Sequence, residues 1–182
     1  ELFFSFREGK LVVRPMKGTE RRGRWLEEDN TAARALQQSD KDRAENVMVV
    51  DLLRNDLGKV SEFGSVEESS LCEIERYETV LQMTSSIQSI ARPDTGLVDL
   101  MAALFPCGSV TGAPKARTME IISELENTPR EVYTGSIGFV SPGLEARFNV
   151  AIRTAWIDRE TGMAEFGVGS GVTYESSPQK EF

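Results

Sequence analysis

The sequence predicts an α+β fold. Strand-like segments of alternating apolar and polar residues stand near both ends of the chain, and helical patterns lie between them without regular strand–helix alternation. The chain has 182 residues, of which 40% are apolar, so it can bury a hydrophobic core. These observations favour helices packed on antiparallel strands.

The first strands are predicted over residues 2–6 and 10–14, joined by a turn at residues 7–9. Pro15 ends the second strand because proline has no backbone N–H to donate. After it we expect the basic residues Arg21, Arg22 and Arg24 to lie in a solvated loop rather than to form an anion site.

A helix is predicted from Ser39 or Asp40 to Leu57, with acidic residues in its first turn and Gly58 as its stop. Its apolar positions are Val47, Val50, Leu53 and Leu57. Residues 73–91 carry both patterns and favour strands, whereas residues 97–104 and 114–125 favour helices.

The last third predicts a β-meander with strands over residues 136–140, 146–157 and 163–168. In the long middle strand, alternate residues share a face. One face would carry Phe148, Val150, Ile152, Thr154 and Trp156, and the other Asn149, Ala151, Arg153 and Ala155.

Composition excludes several classes of function. The chain has no histidine, which excludes Ser-His-Asp triads, HExxH zinc helices and histidine proton shuttles. Its net charge of −8 argues against binding to a nucleic-acid backbone, and no apolar run is long enough to cross a membrane. The two cysteines, Cys72 and Cys107, form neither a CxxC site nor a disulfide framework, which indicates a reducing cytoplasm.

Local patterns leave several interpretations open. The glycine-rich stretches 108–115 and 167–171 match neither a P-loop nor a Rossmann motif, and are either anion-binding backbone or tight turns. Asp42 and Glu45 share a helix face, where they could bind Mg²⁺ or compensate the helix dipole. Lys17 is either solvated or a nucleophile, and Arg153 needs a structural or a substrate carboxylate.

Both ends of the sequence suggest a piece of a longer polypeptide. Glu1 leads directly into a strand, and residues 177–182 resemble the start of a helix. We therefore expect residues 1–182 to form one domain truncated at both ends.

Five ordered blocks resemble the chorismate-binding enzymes, a family that includes anthranilate, aminodeoxychorismate, isochorismate and salicylate synthases. The blocks are 14–19 (RPMKGT), 43–58 (RAENVMVVDLLRNDLG), 108–115 (GSVTGAPK), 151–154 (AIRT) and 167–171 (GVGSG). The resemblance covers nearly the whole chain. It implies a sandwich of large, mostly antiparallel β-sheets flanked by helices, of which this chain holds a portion.

Within this family the chain most resembles the aminodeoxychorismate synthases, because Lys17 stands where anthranilate synthases usually have alanine. The resemblance implies that Lys17 attacks ring C2 of chorismate, that Glu1 is the general acid, and that ammonia then enters at C4. The product, 4-amino-4-deoxychorismate, leads to p-aminobenzoate and folate. The family's partner is a glutamine amidotransferase that supplies the ammonia.

The resemblance also assigns metal and substrate ligands. Glu45 and Glu181 match the acidic residues that bind Mg²⁺, with Asp42 in support. The implied substrate contacts are Arg153, Ser109, Gly169, Ser170, Gly171 and Gln82, the last at a position where anthranilate synthases have histidine. The alternatives are an anthranilate synthase component I and a remnant that binds chorismate without turning it over.

Overall fold

The structure is a computed structural model that describes residues 1–174, 176, 177 and 179. The strands are β1 (Leu2–Arg7), β2 (Lys10–Arg14), β3 (Met16–Arg21), β4 (Glu67–Arg76), β5 (Val80–Ile90), β6 (Ser136–Ser141), β7 (Glu145–Val150), β8 (Ala155–Ile157) and β9 (Ala164–Phe166). The helices are α1 (Leu26–Gln38), α2 (Asp40–Gly58), α3 (Leu97–Leu104), α4 (Gly108–Thr111) and α5 (Lys115–Leu125).

Seven strands form one antiparallel sheet built around the long strand β5. One edge of β5 pairs first with β2 and then with β3, and its other edge pairs with β4. Beyond β2 the order continues through β1 and β7 to β6, while β8 and β9 form a separate two-stranded sheet. The predicted α+β class is confirmed.

Two apolar clusters hold the helices on the sheet. The larger one joins β1, β2, β5 and β7 to the inner face of α2 and to α3, and includes Phe3, Phe4, Leu11, Val50, Leu53, Leu57, Ile87, Leu100 and Leu104. Burying each such side chain contributes about 1.5–3 kcal/mol. The smaller cluster packs Ala33 and Leu36 of α1 on Leu81 and Met83 of β5.

The predicted helix over residues 39–57 is confirmed as α2. Ser39 is its N-cap, with its hydroxyl accepting the Asp42 backbone N–H at 3.3 Å. Val47, predicted on the apolar face, is exposed instead, and its neighbour Val49 is buried. Helix α3 and the first hairpin have their predicted positions, and α5 follows Pro114, although none of its residues is buried.

Two segments differ from expectation near the N-terminus. The chain resumes a strand, β3, immediately after Pro15, and this strand includes Arg21, which was expected in a loop. Arg22 then binds the buried carboxylate of Asp29 in α1, with its Nε donating to Oδ1 at 2.6 Å. Helix α1 has acidic residues in its first turn, but it has no side-chain N-cap and only two buried apolar residues, so its sequence lacks a capping signal and a wide apolar face.

The prediction of one strand over residues 146–157 is wrong. Strand β7 ends at Val150, whose carbonyl accepts the backbone N–H of Ile152 at 2.9 Å in a three-residue turn. Arg153 then has a φ of 51°, outside the β region, and the chain resumes extended structure at Ala155. The predicted alternation of faces therefore stops at Val150.

Candidate active site

Lys17, Glu45 and Gly171 meet at one point, although they come from β3, α2 and the segment after β9. A β-carbon added to Gly171 would lie 3.2 Å from Nζ of Lys17 and 3.6 Å from Oε2 of Glu45. The absence of a side chain at Gly171 thus leaves room for the ammonium and the carboxylate. Three of the residues predicted for the site are brought together here.

The carboxylate of Glu45 is largely buried but has few hydrogen-bond partners among the described residues. Its side chain is 14% exposed, and within the part of the chain that the structure describes its buried Oε1 has no hydrogen-bond partner, with Nζ of Lys41 at 3.9 Å. Burying a charged oxygen without a hydrogen bond is costly, and a hard cation with oxygen ligands would satisfy it. The donor chemistry of Glu45 therefore fits Mg²⁺.

Asp42 lies beside β3, the strand of Lys17, and stands about one helical turn before Glu45 on α2. A β-carbon added to Gly18 would lie 3.1 Å from Oδ1 of Asp42. Over the described residues no group of three or more acidic, cysteine or histidine side chains could hold a metal. Glu181, the other predicted metal ligand, lies outside the described residues.

Glu1, the predicted general acid, has its carboxyl group enclosed beside α4. Cys107 Sγ donates to its Oε1 at 3.9 Å, and the Ser109 hydroxyl also hydrogen-bonds it. Burial raises the pKa of Glu1, and this outweighs the lowering by the hydrogen bonds from Ser109 and Cys107 and by the charge of Lys17. The carboxyl therefore keeps its proton to a higher pH than an exposed glutamate, as a general acid requires.

Sequence reasoning missed the role of Cys107. Its Sγ lies 3.2 Å from Ser109 Oγ, and burial raises the pKa of its thiol to about 12, helped by the negative charge of Glu1. Cys107 is therefore a neutral neighbour that contacts both polar groups. Gly108 between them packs on Leu52 of α2, where an added β-carbon would lie 2.6 Å from a leucine methyl.

Gln82 lies on β5 directly across from Lys17's strand. Its Nε2 donates to the Gly18 carbonyl at 2.7 Å, and its Oε1 accepts from the Thr19 hydroxyl at 2.9 Å. Both ends of the amide are thus used by β3. The substrate contact that the resemblance implies for Gln82 stays a prediction.

The glycine-rich segment after β9 surrounds Tyr133, which sequence reasoning also missed. A β-carbon on Gly167 would lie 2.2 Å from Cγ of Tyr133, and one on Gly169 would lie 2.6 Å from its hydroxyl. Only glycines allow the ring to approach so closely. Tyr133 and Arg130 line a cavity of about 490 Å³ on this side, while Ser170 is exposed.

Arg153 is not brought to this centre. It is exposed in the irregular segment between β7 and β8, and among the described residues its guanidinium has no hydrogen bond or ion pair. The prediction that Arg153 lies within a strand is wrong. Its proposed contact with a substrate carboxylate remains a prediction.

Comparison with known proteins decides the family. The model of a family described as chorismate binding enzyme matches residues 1–182. The chain belongs to the chorismate-binding enzymes. It is 45% identical, over 100% of its length and 38% of the relative's, to aminodeoxychorismate synthase component 1 of Bacillus subtilis. It is 40% identical to anthranilate synthase component 1 of Aeropyrum pernix, over 100% of this chain and 41% of that protein.

Solved structures of the family share the fold. The putative 2,3-dihydroxybenzoate-specific isochorismate synthase of Bacillus anthracis superposes with a TM-score of 0.87 at 25% identity, over 100% of this chain and 48% of that one. Anthranilate synthase component I of Streptococcus pneumoniae gives 0.76 at 36% identity, over 85% and 34%. The chain thus spans less than half the length of these relatives.

Within the described ranges, no single helix combines the length and apolar composition needed to cross a membrane. Leu97–Thr111 and Lys115–Leu125, bent by 62°, meet that criterion only as a pair.

Proposed function

We propose that this chorismate-binding chain carries the catalytic residues of an aminodeoxychorismate synthase component I. The enzyme would convert chorismate and ammonia to 4-amino-4-deoxychorismate and water, on the path to p-aminobenzoate and folate. The observation that carries the proposal is the arrangement around Lys17. Its ammonium and the Glu45 carboxylate both border Gly171, and its charge acts on the enclosed carboxyl of Glu1. A nucleophile, an acid and a metal-type ligand are thus grouped at one place.

The chemistry follows from these positions. The neutral amine of Lys17 forms a bond to ring C2, the two ring double bonds shift, and the C4–O bond breaks. Glu1 donates its proton to the departing hydroxyl, which leaves as water. Ammonia then forms a bond to C4, the double bonds shift back, and the C2–N bond breaks to release Lys17. One ammonia proton returns to the site, so the acid and the amine are restored.

Glu45, with Asp42 in support, would hold Mg²⁺, as its unsatisfied carboxylate oxygen suggests. The ion would supply positive charge to neutralise a substrate carboxylate in the enclosed site. Glu181 would be a further ligand. These metal assignments rest on the donor chemistry and on the family resemblance.

A glutamine amidotransferase subunit or domain would supply the ammonia, as the family resemblance implies. Both cysteines are buried and unpaired. Free thiols suit a reducing compartment, and we place the reaction in the cytoplasm.

Product analysis tests the proposal on the intact protein, supplied with chorismate, Mg²⁺ and an ammonium salt in place of the partner. We expect 4-amino-4-deoxychorismate by chromatography and mass spectrometry. Direct formation of anthranilate and pyruvate would instead favour the anthranilate synthase activity named for the 40%-identical relative. Chorismate binding by calorimetry without any product would indicate the binding-only alternative.

Variants test the role of the lysine. Lys17→Ala should abolish turnover, and Glu1→Gln should lower it by about 10²–10⁴-fold, the usual contribution of a general acid. The matched control is Lys10→Ala, which replaces an exposed lysine on β2, the strand that precedes β3 in the chain. It should leave the rate unchanged. Normal turnover by Lys17→Ala would rule out the covalent step.

A further inference from the structure

We infer that Gln82 is a positioning residue whose side-chain amide fixes the backbone that carries Lys17. The inference deepens the proposed function and rests on it for the catalytic role of Lys17. It assigns to Gln82 a task different from the substrate contact implied by resemblance.

Lys17 and Gly18 lie in an irregularity of the ladder between β3 and β5. Met16 pairs with Thr84 and Thr19 pairs with Gln82, so three steps along β3 match two along β5. One extra residue is therefore accommodated on β3, which defines a β-bulge. Gly18 has a φ of 86°, a left-handed conformation that glycine adopts without steric cost.

A bulge removes backbone groups from the regular ladder, and these groups need other partners. The Gly18 carbonyl finds one in Nε2 of Gln82, at 2.7 Å. Oε1 of the same amide accepts from the Thr19 hydroxyl at 2.9 Å. One side chain thus bridges Gly18 in the bulge and Thr19 next to it, and it gives the Gly18 carbonyl a partner outside the ladder.

The bridge is rigid because it is enclosed. Gln82 is 6% exposed, and on the other side Gly18 packs against Asp42 of α2, where an added β-carbon would lie 3.0 Å from that side chain. The backbone after Lys17 is therefore held between an amide and a helix. The direction of the lysine side chain toward Gly171 and Glu45 depends on this backbone, and a misplacement of about 1 Å can cost about 10²-fold in rate.

The two roles for Gln82 predict different kinetics. A side chain that contacts substrate in both ground and transition states changes KM, whereas one that aims the nucleophile changes kcat. The amide's two donor and acceptor contacts lie on β3, so we expect the second behaviour.

The test compares Gln82→Met with Gln88→Met in the intact enzyme. Both remove an amide from β5, but Gln88 donates to the exposed Glu67, far from Lys17. For Gln82→Met we expect kcat to fall at least about tenfold, with KM for chorismate unchanged within about twofold. Gln88→Met should match the wild type in both constants.

A second readout does not depend on turnover. Without substrate, the rate at which an amine-reactive ester labels Lys17 is followed by peptide mass spectrometry, with Lys10 as the internal reference. Gln82→Met should change the Lys17 rate severalfold relative to Lys10. If Lys17→Ala keeps full activity, the proposed function fails, while this labelling result still decides whether Gln82 positions the lysine.

Three outcomes for Gln82→Met would overturn the inference. KM could rise while kcat is preserved, or neither kcat nor the labelling rate could change. In the third outcome, kcat falls only in proportion to the loss of folded protein, and Lys17 is labelled at the normal rate. If Gln82→Met fails to fold, Thr19→Val replaces it. That variant removes only the 2.9 Å contact to Oε1 and frees one end of the amide. It should lower kcat by a smaller factor in the same direction, and an unchanged kcat would contradict the bridge.

Discussion

Replacing Asp56 should be among the most destabilising single changes in the helical layer. Asp56 on α2 is 1% exposed, and its carboxylate accepts from Nζ of Lys115 at 2.5 Å and from Nζ of Lys59 at 2.7 Å. Lys115 is the first residue of α5 and also donates to the Leu104 carbonyl, at the end of α3, at 3.1 Å. The carboxylate therefore joins three helices around α4, which carries Ser109.

The size of the effect follows from the exposure of the partners. The Lys115 side chain is 16% exposed, so Asp56→Asn leaves an ammonium largely enclosed with one carbonyl partner. Breaking a buried ion pair from one side costs about 3–5 kcal/mol, and the partial exposure of Lys115 places this variant near about 3. Lys115→Met, which leaves Asp56 paired with Lys59, should cost about 2 kcal/mol.

Lys59→Met provides the control, because its side chain is 52% exposed and exposed pairs contribute at most about 1 kcal/mol. The assay is urea unfolding of the intact protein, where the loss appears as a lower urea midpoint. Equal midpoints for Asp56→Asn and wild type would refute the reasoning. So would a Lys59→Met variant as unstable as Lys115→Met.

Two pH dependences follow from the carboxyl groups. Activity should fall at alkaline pH as Glu1 loses its proton. The Ser109 hydrogen bond lowers the pKa of Glu1, so Ser109→Ala should move this alkaline fall in activity to higher pH. An unchanged pH profile would contradict this role. The hydrogen bond from Arg22 lowers the pKa of Asp29 from 3.8 to about 2. The stability it supplies is present above pH 3.8 and is lost as pH falls toward 2. The difference in urea midpoint between wild type and Asp29→Asn should shrink across that window, and a constant difference would argue against it.

Elements with local signals could be predicted from the sequence. The hairpin of β1 and β2 follows from alternation around a glycine turn, and α2 follows from an N-cap at Ser39 and a stop at Gly58. Each signal lies within the element that it specifies. Tertiary contacts therefore did not have to be known.

Elements fixed by distant contacts could not be predicted. Helix α1 is held by Asp29, which binds Arg22 and Arg76, the latter on β4 at 3.3 Å. The break after Val150 coincides with the start of the partner strand β6 at Ser136, and the next contact along the chain is the Ala151 N–H donating to the Gly135 carbonyl at 2.9 Å. A single-sequence pattern of alternating residues carries neither pairing.

The same division applies to the candidate site. Helical spacing alone put Asp42 and Glu45 on one face, and the family resemblance supplied Lys17 and Glu1. The contacts of Gln82 with Gly18 and of Cys107 with Glu1 span 64 and 106 residues of sequence. They depend on strand register and on the seating of α4, which no local motif encodes.

Helix α2 explains why residues so far apart in sequence can act together. Glu45, Leu52 and Asp56 are separated by seven and four residues, close to whole turns, and therefore lie along one helix face. At its start that face presents the Glu45 carboxylate to Lys17. In its middle Leu52 supports Gly108, and near its end Asp56 binds Lys115. One rigid helix thus sets the position of the metal-type ligand relative to the segment that encloses Glu1. A change that moves α4 on α2 should therefore affect proton donation by Glu1, because α4 carries the Ser109 hydroxyl that hydrogen-bonds its carboxyl group.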